Sequence, residues 1–189
     1  MADLDRTRSA IGDGARSLIQ RLLPPATSEQ EVDLVLELFH ARYREVCTQS
    51  SSERTGALEF VQRRSVGSRF VQVVLTNKPQ SPTDRLLDHL GFRPAISDAL
   101  GGDTRWGRKP DPTGLRELMR RSGADPSSTL MIGDGPADLA VAQAAGVRSV
   151  RLDGGYGAPE LLDLHPCTWR VATFQQLEML WGAIETTLP

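Results

Sequence analysis

The stretch MIGDGPAD at residues 131–138, followed by AAG at 144–146, decides the fold class that this sequence predicts. Residues 129–132 form a short apolar run, which is typical of a buried strand, and a helix follows the turn at Gly133 and Asp134. Asp134 and Asp138 are four positions apart, so they lie on one helical face just beyond the carboxyl end of the strand. Ligands of open α/β sheets bind at that edge. The stretch therefore predicts a metal-assisted site.

The composition argues against several classes of function. The chain has 189 residues, which is enough for one α/β domain with a small helical appendage. Its net charge of -2 gives no reason to expect nucleic acid or an anionic membrane as a partner. No apolar run approaches the roughly 20 residues that span a bilayer, and the first residues carry no signal-peptide core. We therefore expect a cytoplasmic protein in which Cys47 and Cys167 are reduced thiols, although a disulfide between them stays open.

The chain changes character near residues 64–68. Residues 1 to about 64 have the apolar spacing of helices, and Ser28 with Glu31 resembles a capping box. Beyond them, apolar runs alternate with helical patterns, which indicates a parallel sheet with helices on both faces. We predict a helical domain at residues 1–66 and an α/β domain at residues 67–189. The predicted strands are residues 69–75, 95–97, 129–132, 147–152 and 169–172.

Two further segments follow or adjoin predicted strands and carry polar groups suited to phosphate. Thr76 and Asn77 come directly after the first strand, where a hydroxyl and the next backbone N–H groups can cradle a phosphate oxygen or simply cap a helix. Lys109 lies in a loop stiffened by Pro110 and Pro112, which suits neutralisation of phosphate charge, although an exposed loop lysine has the same pattern. Only two of the 22 basic residues are lysines, Lys78 and Lys109.

Asp134 and Asp138 also have two interpretations. A carboxylate is a hard ligand that suits Mg²⁺, which takes only one or two protein carboxylates together with waters and substrate oxygens. In this interpretation Asp134 binds the metal and Asp138 orients the surrounding ligands. The alternative is that both acids cap a helix and line its solvated first turn.

Taken together, VVLTNKP at residues 73–79, GGDT and RKPDP within 101–112, and residues 131–146 resemble three motifs of the haloacid dehalogenase-like hydrolase superfamily. Within it, the chain is most similar to enzymes of the phosphoglycolate phosphatase type. The resemblance covers residues 69–157 and extends to the glycine-rich IGDGAR at 11–16. It implies a Rossmann-like α/β core with an N-terminal helical cap, Mg²⁺ as the cofactor and a small phosphorylated metabolite as the substrate.

The resemblance also implies roles for individual residues. Thr76, Lys109 and Asp138 would be catalytic, and Thr76, Asn77 and Lys109 would bind the phosphate. Asp134 would bind the metal. Arg16, at the entry to the cap, would bind an anionic end of the substrate, although a surface helix uses arginine equally well.

The family's nucleophile is an aspartate in an Asp-x-Asp-x-Thr motif at the end of the central strand. The segment DLDRT at residues 3–7 has this pattern, but only two residues precede Asp3, too few for a strand of about five residues. We expect DLDRT to begin a helix and the central first strand to be absent from this sequence. That absence would expose two apolar edges in the middle of a parallel sheet, one before Thr76 and one at 129–132. The cap would then be incomplete at its N-terminus, as in a natural truncation or a chain with a start assigned too far downstream.

These features support three hypotheses. The leading one is a Mg²⁺-dependent phosphomonoester hydrolase with little or no turnover in this form. The second is a non-catalytic protein that binds phosphate or a protein partner. Dehalogenase chemistry on the same scaffold ranks last, because Asp134 and Asp138 indicate a metal. Substrate identity and oligomeric state stay open.

Overall fold

The computed structural model describes residues 3–65, 67–155 and 159–189. Four helices precede the first strand in the described part, and helices and strands alternate after it. The helices are α1 (Leu4–Ala10), α2 (Ala15–Leu22), α3 (Glu29–Val46), α4 (Ala57–Arg63), α5 (Gln80–His89), α6 (Thr113–Ser122), α7 (Pro136–Ala145), α8 (Pro159–Leu162) and α9 (Phe174–Glu185). The strands are β1 (Val73–Leu75), β2 (Asp98–Leu100), β3 (Leu130–Gly133), β4 (Arg148–Leu152) and β5 (Trp169–Val171).

The DLDRT segment begins a helix, as its sequence predicts. Asp3 is the N-cap of α1, and its carboxylate accepts hydrogen bonds from the backbone N–H groups of Asp5 and Arg6, both at 3.1 Å. The predicted capping box is present in α3, where the Ser28 hydroxyl accepts from the Glu31 backbone and the Glu31 carboxylate accepts from the Ser28 backbone. Short polar side chains thus satisfy the free N–H groups at both helix starts.

The strands form two separate parallel sheets, β1-β2 and β3-β4-β5. Within the described residues, β1 pairs only with β2, and β3 pairs only with β4. All residues of β1 and β3 are half-buried, whereas β4 is buried from Ser149 to its end. This arrangement confirms the parallel α/β class, and within the described residues no strand pairing joins the two sheets.

Two predicted strands differ from the structure in their bounds. Residues 95–97 are not a strand: Arg93–Ala95 form a 3₁₀ turn, and β2 begins at Asp98. Pro94 explains the shift, because it has no N–H for a ladder and its fixed φ favours the turn. The first strand begins at Val73 rather than at residue 69, because its partner β2 begins only at Asp98, which pairs with Val73.

Among the described residues, two apolar clusters form the core where helices pack on the sheets. One contains Phe60 of α4 with Val150, Leu152 and Leu177, and the other contains Val141 of α7 with residues of α6. Since α4 packs on the strands, the division at residues 66 and 67 stays a prediction. Cys47 and Cys167 are both free, as the composition predicts. No helix among the described residues has the length and apolarity needed to cross a membrane.

Candidate functional site

The residues after β1 are held by contacts with two other loops. The backbone N–H of Thr76 donates to Leu100 O at 3.0 Å, which extends the β1-β2 pairing by one bond. The Thr76 hydroxyl accepts from the Lys78 backbone N–H at 3.2 Å. The Asn77 amide donates to Gly12 O at 2.9 Å and to Lys109 O at 3.0 Å. Asn77 therefore joins the glycine-rich loop before α2 to the loop that carries Lys109.

The helix-cap alternative for Thr76 and Asn77 is wrong. Helix α5 begins at Gln80 with Pro79 as its N-cap, and no side chain at that cap position accepts from the helix. Asp103 accepts from the Gln80 backbone N–H at 2.7 Å instead. The Thr76 hydroxyl keeps its own proton available as a donor at the carboxyl end of β1.

Lys109 is not an exposed loop lysine: its side chain is 11% exposed. Its ammonium group donates to Leu75 O at 2.9 Å and to Asp138 Oδ1 at 2.5 Å. Leu75 is the last residue of β1, and Asp138 lies in the first turn of the helix after β3. Lys109 thus links the carboxyl ends of the two sheets. Two of its three N–H donors are used by these contacts, which leaves one for a ligand.

Asp138 caps α7, and its side chain is 10% exposed. Its Oδ2 accepts from the backbone N–H groups of Asp134 at 3.1 Å and Gly135 at 2.9 Å, while Oδ1 faces Lys109. This packing requires Gly133, because a Cβ there would lie 2.2 Å from the Asp138 Cβ. The capping interpretation is therefore correct for Asp138, and the same carboxylate also positions Lys109.

The Asp134 carboxylate, in contrast, is 42% exposed and free of the cap. Burial raises the pKa of the Asp134 carboxyl above its ordinary value, and the neighbouring Asp138 charge raises the pKa further. Gly155 approaches from the loop after β4, where a Cβ would lie 2.3 Å from Asp134 O. Asp134 is therefore a partly desolvated carboxylate that a nearby cation would stabilise.

Arg54 is the cation that sequence reasoning missed. It lies in the loop before α4, with Nη1 3.5 Å from Asp134 Oδ2, and its Nη2 donates to Asp153 O. About eighty residues separate Arg54 from Asp134, and no local periodicity connects them. Its position in a polar loop between two helices was the only available signal.

The structure does not join Arg16 to this cluster. Its guanidinium pairs with Glu29 at 2.9 Å and with Asp33, both on α3. The loop before α2 does reach the cluster, since the Gly12 carbonyl accepts from Asn77. Lys78 also points away from Lys109, because its ammonium donates to the Tyr43 hydroxyl on α3. The proposed substrate contact of Arg16 stays a prediction.

The side chains at this site fit a metal ion that takes some of its ligands from a bound phosphate and waters, rather than one held by protein side chains alone. Among residues 3–65, 67–155 and 159–189, no three His, Cys, Asp or Glu side chains are grouped to hold a metal ion. Asp138 already accepts from Lys109 and from two backbone N–H groups, whereas the more exposed Asp134 contacts Arg54 at 3.5 Å, so Asp134 is the better-placed carboxylate for a cation. Mg²⁺ is often held by one or two carboxylates with phosphate oxygens and waters, so the partly desolvated Asp134 fits such a site.

The sequence is similar to proteins of a known family. The profile of the haloacid dehalogenase-like hydrolases matches residues 2–146. The chain is 33% identical over 174 residues to a phosphoglycolate phosphatase of Rhodospirillum rubrum, covering 87% of this chain and 71% of that protein. It is 31% identical over 191 residues to phosphoglycolate phosphatase 1 of Pseudomonas aeruginosa, covering 90% and 69%.

The fold also matches solved structures. A predicted phosphoglycolate phosphatase from Haemophilus somnus 129PT superposes with a TM-score of 0.86 at 24% identity, covering 95% of this chain and 83% of that one. This likeness concerns the fold. With the profile match over more than half of its length and relatives of 33% and 31% identity, the chain belongs to the haloacid dehalogenase-like hydrolase family.

Proposed function

We propose that this chain has the phosphate site of a Mg²⁺-dependent phosphomonoester hydrolase of the phosphoglycolate phosphatase type, acting on a small organic phosphate. The observation that carries the proposal is the Lys109 ammonium, which is buried where the carboxyl ends of β1 and β3 meet. Thr76 and Asp134 follow those same strands. The names of the relatives at 33% and 31% identity support the substrate class.

Each residue has a separate task in this proposal. Lys109 directs its third N–H to a phosphate oxygen and neutralises part of the charge. Thr76 donates its hydroxyl proton to another oxygen, and Asn77 keeps its loop beside Lys109. Asp138 holds Lys109 in place through a buried ion pair.

The Asp134 carboxylate would bind Mg²⁺ in exchange for its contact with Arg54. When bound, the metal would shield the negative charges of carboxylate and phosphate from each other. Arg54 would then be free to turn toward the anion. A divalent cation would favour the ionised form of Asp134, which burial and the Asp138 charge otherwise disfavour by raising its pKa.

A nucleophile is the part that the described residues do not bring to this site. Asp3 caps α1, and Asp5 lies in its first turn, so neither follows a strand. We therefore propose low turnover for this chain by itself. The same observation favours a second candidate, a non-catalytic protein that binds phosphate at Lys109 and Thr76.

A turnover assay separates the two candidates. Phosphate release from phosphoglycolate and from p-nitrophenyl phosphate is measured with and without Mg²⁺, for the wild type and for Asp3→Asn. We expect slow release that Asp3→Asn leaves unchanged, because asparagine caps a helix as well as aspartate. Rapid Mg²⁺-dependent release abolished by Asp3→Asn would overturn the assignment of Asp3 to a helix cap. Saturable phosphate binding with no release above background would favour the non-catalytic candidate.

The remaining expectations concern the surroundings of the protein. We propose a cytoplasmic location and a small phosphorylated metabolite as the partner, with neither nucleic acid nor a membrane involved. The net charge of -2 and the two free cysteines support this setting.

A further inference from the structure

Arg108, directly before Lys109, is a second cation beside the proposed phosphate site. Its carbonyl accepts from the Asp111 backbone N–H at 3.0 Å, which fixes the turn that carries both cations. The two side chains have different surroundings. That of Lys109 is 11% exposed and contacts the end of β1 and the first turn of α7, whereas Arg108 is exposed. The turn therefore directs one cation into the site and leaves the other at the surface beside it.

The Arg108 side chain lies against the glycine-rich loop before α2. A Cβ at Gly14 would lie 3.1 Å from Arg108 Nη1, 3.6 Å from its Cδ and 3.5 Å from Asn77 O. The φ of Gly14 is +91°, so this position needs glycine for its conformation as well as for space. The Asn77 amide joins the same loop to Lys109, since it donates to Gly12 O and Lys109 O. The guanidinium thus lies next to the residues that are proposed to bind phosphate.

The Arg108 guanidinium has no carboxylate within 4 Å in the described part of the chain. The acid of the glycine-rich loop, Asp13, pairs with Arg21 instead, and Arg16 pairs with two acids of α3. An arginine has five N–H donors in a planar fork that matches a carboxylate with two parallel hydrogen bonds. Of the three arginines beside this loop, Arg108 is therefore the one available to an anion.

We infer that the Arg108 guanidinium binds a carboxylate of the substrate, so that the substrate is a phosphomonoester that also carries a carboxylate. The phosphate end would lie at Lys109 and Thr76, and the carboxylate would accept two hydrogen bonds from the guanidinium. The inference rests on the proposed function, because it takes phosphate to bind at Lys109. It gives to Arg108 the contact with an anionic end that the sequence suggested for Arg16. Arg108 would determine specificity and take no part in the chemistry.

Two ligands that differ in one charge test the inference. Phosphoglycolate has a carboxylate, and phosphoglycolamide has a neutral amide of nearly the same shape in its place. Dissociation constants are measured by titration with Mg²⁺ present. We expect the wild type to bind phosphoglycolate roughly tenfold more tightly, because charge-assisted hydrogen bonds are stronger than neutral ones. Arg108→Gln should remove this preference by weakening phosphoglycolate alone. Arg108→Lys should keep part of it, because lysine keeps the charge and loses the fork.

Arg105→Gln is the matched control. Arg105 lies in the same loop, is exposed and has its guanidinium 4.4 Å from the centre of the Trp106 ring. Its substitution removes the same charge and should leave the preference for phosphoglycolate unchanged. Inorganic phosphate has no second end, so it should bind Arg108→Gln within about threefold of the wild type, since salt screens the remaining attraction between charges.

Four results would overturn the inference and leave the proposed function standing, provided that inorganic phosphate binds the wild type. They are equal binding of the two ligands by the wild type, an equal loss for both ligands in Arg108→Gln, a loss of preference in Arg105→Gln as large as in Arg108→Gln, and a loss of preference in Arg16→Gln instead of Arg108→Gln. If inorganic phosphate does not bind the wild type, the proposed function fails and the inference fails with it.

Discussion

Strand β4 has the more polar sequence, RSVRL, yet it is more deeply buried than the apolar strands β1 (VVL) and β3 (LMIG). Val150 of β4 is 0% exposed and Leu152 is 4% exposed, because β4 lies between two strands and Phe60, Leu177 and Ile184 cluster with these side chains. Every residue of β1 and β3 is half-buried, since each strand pairs on one side within the described residues. Thr76 and Asp134 follow the half-buried strands β1 and β3, and Lys109 contacts the carboxyl ends of both, whereas β4 carries none of these residues. The comparison teaches that this site lies where the sheet is least complete.

The largest effect should come from removing Lys109, which links the carboxyl ends of β1 and β3. Lys109→Met leaves the Asp138 carboxylate buried beside an apolar side chain and removes the bond to Leu75 O. Breaking a buried ion pair costs about 3–5 kcal/mol. Urea denaturation should show a loss of this size in the free energy of unfolding.

The exposed pair of Arg42 and Glu45 is the control for this loss. Their side chains are 73% and 66% exposed, so Arg42→Ala should cost about 0–1 kcal/mol. If Lys109→Met costs no more than Arg42→Ala, Lys109 does not join the two sheets.

Substitutions of one leucine on β4 and one on β3 compare the two strands directly. Leu152 lies on β4 and Leu130 on β3, and both pack in the cluster around Val150. Leu152→Ala should cost about 2–5 kcal/mol, because it opens a cavity in the buried cluster around Val150. Leu130→Ala should cost less than half of that, since solvent already reaches β3. Equal losses in urea denaturation would show that β3 is as enclosed as β4.

The smallest predicted effect is a gain in stability rather than a loss. The pKa of Asp134 is raised by burial in the folded state, so folding disfavours the ionised carboxylate. Stability from this group is therefore lost as pH rises from the ordinary pKa of about 3.9 to the raised value of the folded state. Asp134→Asn should raise Tm at pH 7 and leave it unchanged near pH 3, where both states are protonated.

Calorimetry at the two pH values checks this prediction. Arg54→Gln is the matched variant, because it removes the cation beside Asp134 and should lower Tm at pH 7. A lower Tm of Asp134→Asn at pH 7 would mean that the contact with Arg54 outweighs the burial of Asp134.

Local patterns were sufficient for much of the fold. The helix start at Asp3, the turn at Gly133 and the parallel class all follow from spacing and capping within a few residues. The bounds of β2 do not follow from local patterns, because the turn at Pro94 makes the strand begin at Asp98 rather than at residue 95.

The site was predictable in its parts but not in its contacts. Thr76, Lys109 and Asp138 were found from motif chemistry, whereas the bond of Lys109 to Asp138 joins positions 29 residues apart. The contact between Arg54 and Asp134 is longer in range still, and sequence periodicity carries no information on such pairs. Tertiary geometry alone brought Arg54 into the site.

Phosphate binding tests the central claim most directly, because the site is proposed to hold an anion and Mg²⁺ together. Titration calorimetry with inorganic phosphate in the presence of Mg²⁺ compares the wild type with Asp134→Asn, which keeps the shape of the side chain and removes its charge. We predict saturable binding to the wild type that weakens at least tenfold without Mg²⁺ or with Asp134→Asn. Absence of binding to the wild type, or equal binding in all three cases, would contradict a phosphate and metal site at the carboxyl ends of β1 and β3.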